Sequence, residues 1–456
     1  MKLINTIKSN YWIRYGLLNI IQNTSTVLFG FASFYLLIRK LDRHEYGIWI
    51  LFLSTIAVFA MARNGLLQSA TIKYVSGTSE EGEKKKIIAT TFTMNILVTA
   101  LFIGLLCAVA PLLGYMWDAP ELPPMLWFFG ISFIFSSIQM HFNSVEQAYL
   151  NFNGTFLTTF LYQGLFFCYI FTSYLTQTDI TLMGLIYANL GANIIATIPS
   201  VVYIRKRVSF RLLIDMSWAK RIFNYGKYSM GTSVNAILSD TIDQMMLGAM
   251  LSPAATGIFN IAVRISNLAS IPTNAMGSIV FPQGARRLEE EGLPALKYLY
   301  EKSVGTILAL LIPALLFIYL FADVFIHYIA GEKYDESLPL LKITLFYSLF
   351  MPFSRQMGTI LDSIGKTKLN FLLVLLSGII NVFTNYFFIT HWGIIGAAFA
   401  TLSTYLIFFL ISQYTLKKIL NVNLANVWTY TWQFYPEMME KLFGKKKALS
   451  SNAQAE

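Results

Sequence analysis

Charge is what this sequence has least of. Only 13% of its 456 residues are Asp, Glu, Lys or Arg, while 55% are hydrophobic. An ordinary soluble domain carries about 25% charged residues, so a soluble globule is excluded. Cysteine is nearly absent. Cys107 and Cys168 both lie inside apolar blocks, which leaves neither a disulfide framework nor a cysteine-based metal site. No small-residue cleavage signal follows the basic start MKLINTIKSNYWIRYG, so the first apolar block reads as an uncleaved anchor. Long polar segments between apolar blocks are also missing. A membrane glycan polymerase or ligase would need a large external loop for its catalytic groups, so that class is disfavoured and no enzyme is expected.

What is present is a series of apolar blocks of about 20 residues, the length that crosses a hydrocarbon core of roughly 30 Å. The fold class is therefore an all-α polytopic membrane protein. Six spans are expected near 15–38, 46–70, 87–113, 122–146, 153–176 and 180–203. Six more fall near 222–250, 255–283, 303–328, 338–362, 368–390 and 393–415. Lys84 to Lys86, Arg205 to Arg207, Arg286, Arg287, Lys366, Lys368, Lys417 and Lys418 occupy alternate loops, and acids dominate the opposite ones. Both termini are thus expected in the cytoplasm. The stretch RKLDRHE at 39–45 is the exception. The net charge of +10 is accounted for by these loops, and no nucleic-acid partner is expected.

A shift of the chain along itself by about 210 residues aligns several positions. Tyr15-Gly16 meets Tyr225-Gly226, Leu41 meets Leu251, Gly47-Ile48 meets Gly257-Ile258, and Asn64 meets Asn274. Six spans separate the copies, an even number, so they have the same topology and form two parallel six-helix lobes. The lobes are expected at 1–203 and 219–415, joined by a cytoplasmic linker at 204–218. A tail at 416–456 follows. It has Trp428, Trp432, Tyr435 and Leu442 among polar neighbours and Lys445 to Lys447 near its end. An interfacial amphipathic helix and a solvated or disordered tail both fit it.

Polar groups inside spans are costly and mark a cavity or a partner. Asp240 and Asp243, at i and i+3, are expected on one helix face as an ion or proton site, with a structural pairing to Arg264 as the alternative. Neither acid has a counterpart in the first lobe, where Gly30 and Ser33 occupy the equivalent positions. Asn260, Arg264, Asn267 and Asn274 form an expected polar stripe on the eighth span. Asn19, Asn23 and Thr26 form another on the first, and Gln139, Asn143 and Glu146 a third on the fourth. With Arg63, Lys73 and Arg355 these suggest a water-filled, cation-lined cavity suited to an anionic substrate. Snorkelling at a helix end is the alternative for Lys73. Asn381, Asn385 and Thr401 add polar groups to the last two spans.

LDRHEYGIWILFLS at 41–54 and NGLLQSATIKYVS at 64–76 are similar to turn and helix-end patterns of the polysaccharide (Wzx-type) flippases. Their superfamily, the MOP superfamily, also holds lipid II flippases and MATE multidrug exporters. The resemblance runs over about 1–415. It implies two six-helix lobes around a central cavity with alternating access. The implied cargo is undecaprenyl-pyrophosphate-linked oligosaccharide, carried outward across a bacterial cytoplasmic (inner) membrane for O-antigen, capsule or exopolysaccharide assembly. Membrane lipids and polysaccharide polymerase machinery are the other implied partners. LSPAATGIFNIAVRI at 251–265 is similar to lipid II flippases, whose buried arginine falls on Arg264. A Na+ site found in some of those flippases falls on Asp243, Asn381, Asn385 and Thr401, although Asn385 stands where that site has a carboxylate. Na+ or H+ is thus the expected coupling ion, with no other cofactor. Arg63, Arg264 and Arg355 would engage the pyrophosphate, together with Lys73, Asn23, Asn143, Asn260, Asn267 and Asn274 lining the cavity. The alternative is a cation-coupled multidrug exporter, in which the acids would hold a cationic drug.

Overall fold

The computed structural model describes residues 11–205 and 212–452, and among them every regular element is a helix. Lipid supplies no hydrogen-bond partner, so a spanning segment must satisfy its backbone internally, which a helix does. Ten of these helices are long and apolar enough to cross a membrane.

The chain forms two compact units, residues 1–257 and 258–456. In the first, α1 (Tyr11–Lys40), α2 (Arg43–Gly77), α3 (Glu81–Met116), α4 (Leu122–Ala148), α5 (Asn153–Leu175) and α6 (Leu182–Ile204) follow one another. Next comes α7 (Met216–Met250), which equals α2 in length at 35 residues. It carries Asp240 and Asp243 and is too polar to join the ten.

One further span straddles the boundary and enters the second unit. It consists of α8 (Pro253–Ser266), a 3-10 turn at Asn267–Ala269, and α9 (Ser270–Glu291). Then come α10 (Leu293–Leu320), a short α11 (Ala322–Ile329), a 3-10 turn at Glu332–Tyr334, α12 (Ser337–Ser348) and α13 (Met351–Ser363). The 54 residues of α14 (Thr367–Leu420) would reach about 80 Å at 1.5 Å each, far beyond one bilayer crossing. The chain instead turns back at Gly393, whose φ of +59° suits a residue without Cβ. With α14 taken as two spans and α7 as one, the count reaches the expected twelve. Last is α15 (Leu424–Asn452), so the described part of the tail is helical.

The units divide after Gly257, whereas the repeat places its lobe boundary in the 204–218 linker. The reason is that α7 lies tight along α2. A methyl group on Gly226 would collide with the Leu66 carbonyl, and one on Gly65 would come within 2.8 Å of the Met230 Cα. Small residues let backbones approach closely where helices meet in lipid. Trp117, at the end of α3, adds a hydrogen bond from its indole Nε1 to the Met245 carbonyl at 3.1 Å.

The repeated Leu-x5-Gly-Ile motif also has a structural cause. Its two copies meet: Gly47 abuts the Pro253 carbonyl, and a methyl on Gly257 would lie 3.1 Å from the Tyr46 ring and 3.2 Å from the Arg43 carbonyl oxygen. The acids of the exceptional RKLDRHE stretch serve a local purpose. Asp42 accepts from the Glu45 N–H at 2.7 Å, and Glu45 accepts from the Asp42 N–H at 3.2 Å, a capping box that starts α2.

Candidate functional site

Arg63 sits deep in α2, only 2% exposed. Its guanidinium donates to the Phe133 carbonyl at 3.1 Å and to the Ser136 hydroxyl at 3.4 Å, both on α4. It also donates to the Asn64 side-chain oxygen at 3.4 and 3.3 Å, and it lies 4.2 Å over the Phe133 ring. None of these partners is an acid. On the neighbouring stretch of α3 and α4, the Asn95 amide donates to the Ser137 carbonyl at 3.0 Å. The buried Asn95 Oδ1, Thr99 Oγ1 and Ser132 Oγ have no hydrogen-bond partner among the described residues. A cation held in a membrane span by neutral groups alone carries a desolvation cost of several kcal/mol. An anion is the complement this arrangement lacks, and a guanidinium fork fits phosphate oxygens well.

The other expected residues divide sharply. Asp240 and Asp243 do not share an environment: Asp240 is exposed and Asp243 is buried, next to the buried Gln244. Gln244 in turn ties α7 to its neighbours, accepting from the Ser54 hydroxyl at 3.4 Å, while its backbone carbonyl accepts from Thr256 at 2.9 Å. The residues of the stripe on the eighth span also differ in exposure. Asn260 is buried and Arg264 half-buried, but Asn267 and Asn274 are exposed. The 3-10 turn at Asn267–Ala269, which winds at 3.0 residues per turn, lies between Asn267 and Asn274. Arg355 is exposed on α13, and Asn23 is exposed on α1. The side chain of Asn19 lies outside the described residues. Lys73 is exposed with its ammonium 4.2 Å over the Tyr225 ring, an aromatic seat at the end of α2.

The polar face expected on the fourth span is largely structural. Gln139 donates to the Asn193 carbonyl at 2.7 Å and the Thr197 hydroxyl at 2.9 Å, tying α4 to α6. Glu146, 3% exposed, accepts from the Gly154 N–H at 2.7 Å, the Thr155 N–H at 2.6 Å and the Thr155 hydroxyl at 3.0 Å. It caps the first turn of α5, whose free N–H groups attract a carboxylate. Asn143 is half-buried, and its Oδ1 has no partner among the described residues.

Asn381, Asn385 and Thr401 all lie buried in the hairpin of α14. Asn385 donates to the Asn381 carbonyl at 2.9 Å, Thr401 donates to the Ala397 carbonyl at 3.0 Å, and Thr384 and Thr404 hydrogen-bond across the hairpin at 2.9 Å. These residues belong to the second unit and Asp243 to the first.

Glu301 was absent from the sequence-based candidates. It is 1% exposed on α10 and accepts from the Asn423 N–H at 2.7 Å and the Asn426 amide at 2.9 Å. Its signal in the sequence is a lone acid between Tyr300 and the apolar run VGTILALLIPALL.

Comparison with known proteins bears on this arrangement. The profile of a polysaccharide biosynthesis protein family matches residues 36–339, well over half of the chain. The chain belongs to that family. It is similar to the teichuronic acid biosynthesis protein TuaB of Bacillus subtilis, 22% identical over 62% of this chain and 58% of TuaB. It is also similar to the lipopolysaccharide biosynthesis protein WzxC of Escherichia coli, 20% identical over 79% of this chain and 70% of WzxC. The chain spans 53%, 39% and 58% of the lengths of the first curated relatives it matches. Among solved structures, an inward-facing MATE family multidrug transporter of the MOP superfamily gives a TM-score of 0.77 at 13% identity, covering 87% of this chain and 95% of that one. The lipid II flippase MurJ gives 0.72 at 15% identity, covering 94% and 92%. The chain therefore has the fold that these two MOP superfamily structures share.

Proposed function

We propose that this protein is a flippase that carries an oligosaccharide linked to undecaprenyl pyrophosphate across the membrane by alternating access. The two parallel lobes, 1–203 and 219–415, would be its moving parts. The observation that carries this reading is Arg63, a buried guanidinium in a spanning helix whose partners are all neutral. A cation so placed complements a pyrophosphate and repels a cationic drug. Membership of the polysaccharide biosynthesis family supports the same class of cargo. Arg264 and Arg355 are the further cations in this reading, and no covalent step is assigned to the protein.

Coupling is assigned to a cation or proton. Asp243 is the buried carboxylate for that role and Asp240 the exposed one, while Asn381, Asn385 and Thr401 are neutral oxygen donors. A coupling ion shifts the conformational equilibrium only by its different affinity for the two states.

The test is thermal stabilisation of the purified protein by two ligands: undecaprenyl-pyrophosphate-linked oligosaccharide and a lipophilic cationic dye. The anionic lipid should raise the melting temperature, and the shift should vanish in Arg63→Ala while the unliganded protein still melts cooperatively. Stabilisation by the dye alone, lost in Asp243→Asn, overturns the reading in favour of drug export. In vesicles, transport by Thr401→Val and Asp243→Asn that keeps the wild-type response to Na+ and pH gradients would remove the coupling assignment.

A further inference from the structure

The end of α2 and the start of α7 meet on a small aromatic platform. The Tyr74 ring packs edge-on against Trp218 at 5.7 Å and against Tyr225 at 6.1 Å. Tyr74 and Trp218 are themselves anchored on two buried clusters, one holding Ile87, Phe142 and Val145 and the other Leu67, Ala70 and Ile222. The Trp218 indole also donates to the Glu83 carboxylate at 2.8 Å, which fixes the ring. Trp218, Arg221 and Tyr225, at i, i+3 and i+7, share one side of α7.

Two exposed cations lie on this platform. The Lys73 ammonium is 4.2 Å over the Tyr225 ring and 5.5 Å from that of Tyr74, and the Arg221 guanidinium is 4.9 Å over Trp218. The acids nearby are engaged elsewhere. Glu81 holds Lys84 at 2.7 Å and Glu83 holds Lys86 at 2.6 Å, while Asp215 accepts from the Ser217 and Trp218 N–H groups. Among the described residues, neither Lys73 nor Arg221 has an ion-pair partner or spends a side-chain N–H on a hydrogen bond. A ring face under an exposed cation contributes only about 0.5–1 kcal/mol and takes up no N–H. Both charged ends therefore keep their donors for a ligand.

Their position says which ligand. Lys73 follows the span expected at 46–70 and Arg221 precedes the one at 222–250, so both stand at the level of lipid headgroups. Lys73 is ten residues beyond Arg63 on α2, about 15 Å of helix, and so lies outside the surroundings of Arg63. Arg221 precedes Tyr225, the seat of Lys73, by one helical turn, about 6 Å of rise. Two cations in series suit two linked phosphates, whereas an ordinary anionic phospholipid offers one.

We propose that Lys73 and Arg221 form a docking site for the diphosphate headgroup of a polyprenyl lipid, from which the cargo passes on to Arg63. The site lies on the side that bears Lys84 to Lys86, the cytoplasmic one by the distribution of basic loops. It rests on the cargo class proposed above. The guanidinium takes one phosphate as a fork and the ammonium takes the other as a point charge. Cations without local acids also raise the concentration of an anionic ligand near the surface.

The experiment acylates the full chain in phosphatidylcholine nanodiscs with an N-hydroxysuccinimide ester and reads each lysine by peptide mass spectrometry. Undecaprenyl pyrophosphate should slow labelling of Lys73 about tenfold, and phosphatidylglycerol or undecaprenol at the same mole fraction less than about twofold. The exposed Lys417, in the second unit, serves as the unprotected control. Arg221→Ala should remove most of the protection. Lys227→Ala should not, because that ammonium turns to Asn224 and Tyr228. Arg63→Ala should also leave Lys73 protected. The proposal is overturned if Lys73 stays unprotected, if phosphatidylglycerol protects it equally, if protection survives Arg221→Ala, or if protection is lost in Arg63→Ala. Thermal stabilisation by the lipid-linked oligosaccharide that depends on Arg63, with Lys73 unprotected, would leave the flippase reading standing without this docking site. Protection of Lys73 with no such stabilisation would support the docking site and remove Arg63 as the cargo station.

Discussion

The second and fourth spans run unbroken in the first unit and are broken in the second. Helix α2 holds its hydrogen-bond ladder for 35 residues and α4 for 27. By the repeat their counterparts are α8–α9 and α12–α13, interrupted at Asn267–Ala269 and between Ser348 and Met351. Each interruption sits five residues or fewer before a proline, Pro272 and Pro352 respectively. Proline brings no N–H to the carbonyl four residues earlier and its ring clashes with that carbonyl. Irregular backbone at membrane depth survives only against protein or water. The breaks therefore mark where the second unit's spans cannot face lipid all round. Two copies of one plan have thus diverged through two residues, one copy kept as straight rods and the other given points of bending.

The sharpest way to break this difference is to transplant it. Ala62 occupies the place in α2 that Pro272 has in its counterpart. Ala62→Pro should cost about 3 kcal/mol or more and lower the melting temperature far more than any change below. Pro272→Ala should raise it and close the gap in the helix, readable as amide-exchange protection across 267–272. If Pro272→Ala leaves that protection unchanged, proline is not the cause of the break.

The next effect concerns the close approach that draws α7 into the first unit. Gly226→Ala must push against the Leu66 backbone, and overpacking of this kind costs about 1–3 kcal/mol. Thermal unfolding in detergent would show it. Gly231, with open space around it, is the control, and Gly231→Ala should be neutral or slightly stabilising.

The two buried carboxylates offer a subtler comparison. Glu146 in the first unit and Glu301 in the second do the same work, each receiving N–H groups at the start of a following segment. Glu146 binds two backbone N–H groups and a hydroxyl, whereas Glu301 binds one backbone N–H and one amide. Loss of a helix cap costs roughly 0.5–2 kcal/mol. Glu146→Ala should fall at the upper end of that range and lower the overall melting temperature. Glu301→Ala should mainly free α15, seen as new proteolytic cleavage after residue 420.

The smallest effect is expected at Asp215, the half-buried cap of α7. Hydrogen bonds from the Ser217 hydroxyl and from the Trp218 N–H hold its carboxyl below the usual range. Its contribution is therefore complete above the unfolded carboxylate pKa and is lost as pH falls through the lowered folded value. Melting curves from neutral pH into that acid range should show a slight extra decline that Asp215→Asn removes.

Much of this architecture was legible in the sequence because it follows from lengths and spacings. The apolar blocks located the spans, and the Leu-x5-Gly-Ile copies located turns that prove to touch. Arg63 was legible as a charge among apolar neighbours. Misreadings arose where the answer depended on a partner distant along the chain. Glu146 looked cavity-facing because its helix spacing was visible, while the N–H groups of Gly154 and Thr155 that claim it were not. Asp240 and Asp243, three positions apart, differ in burial because α7 presses one side against its neighbours. No spacing rule carries that information.

The turn at Gly393 has a consequence for how the chain is made. The residues around it, THWGIIG, carry no Asp, Glu, Lys or Arg, and the helices on either side are apolar. Nothing strongly hydrated must be dragged through the hydrocarbon to complete that pair. The two helices can therefore enter the bilayer together as a preformed hairpin, after ribosomal emergence of the second, without a separate translocation event for the connecting loop. A pair of lysines placed beside Gly393 would turn this single insertion into two steps.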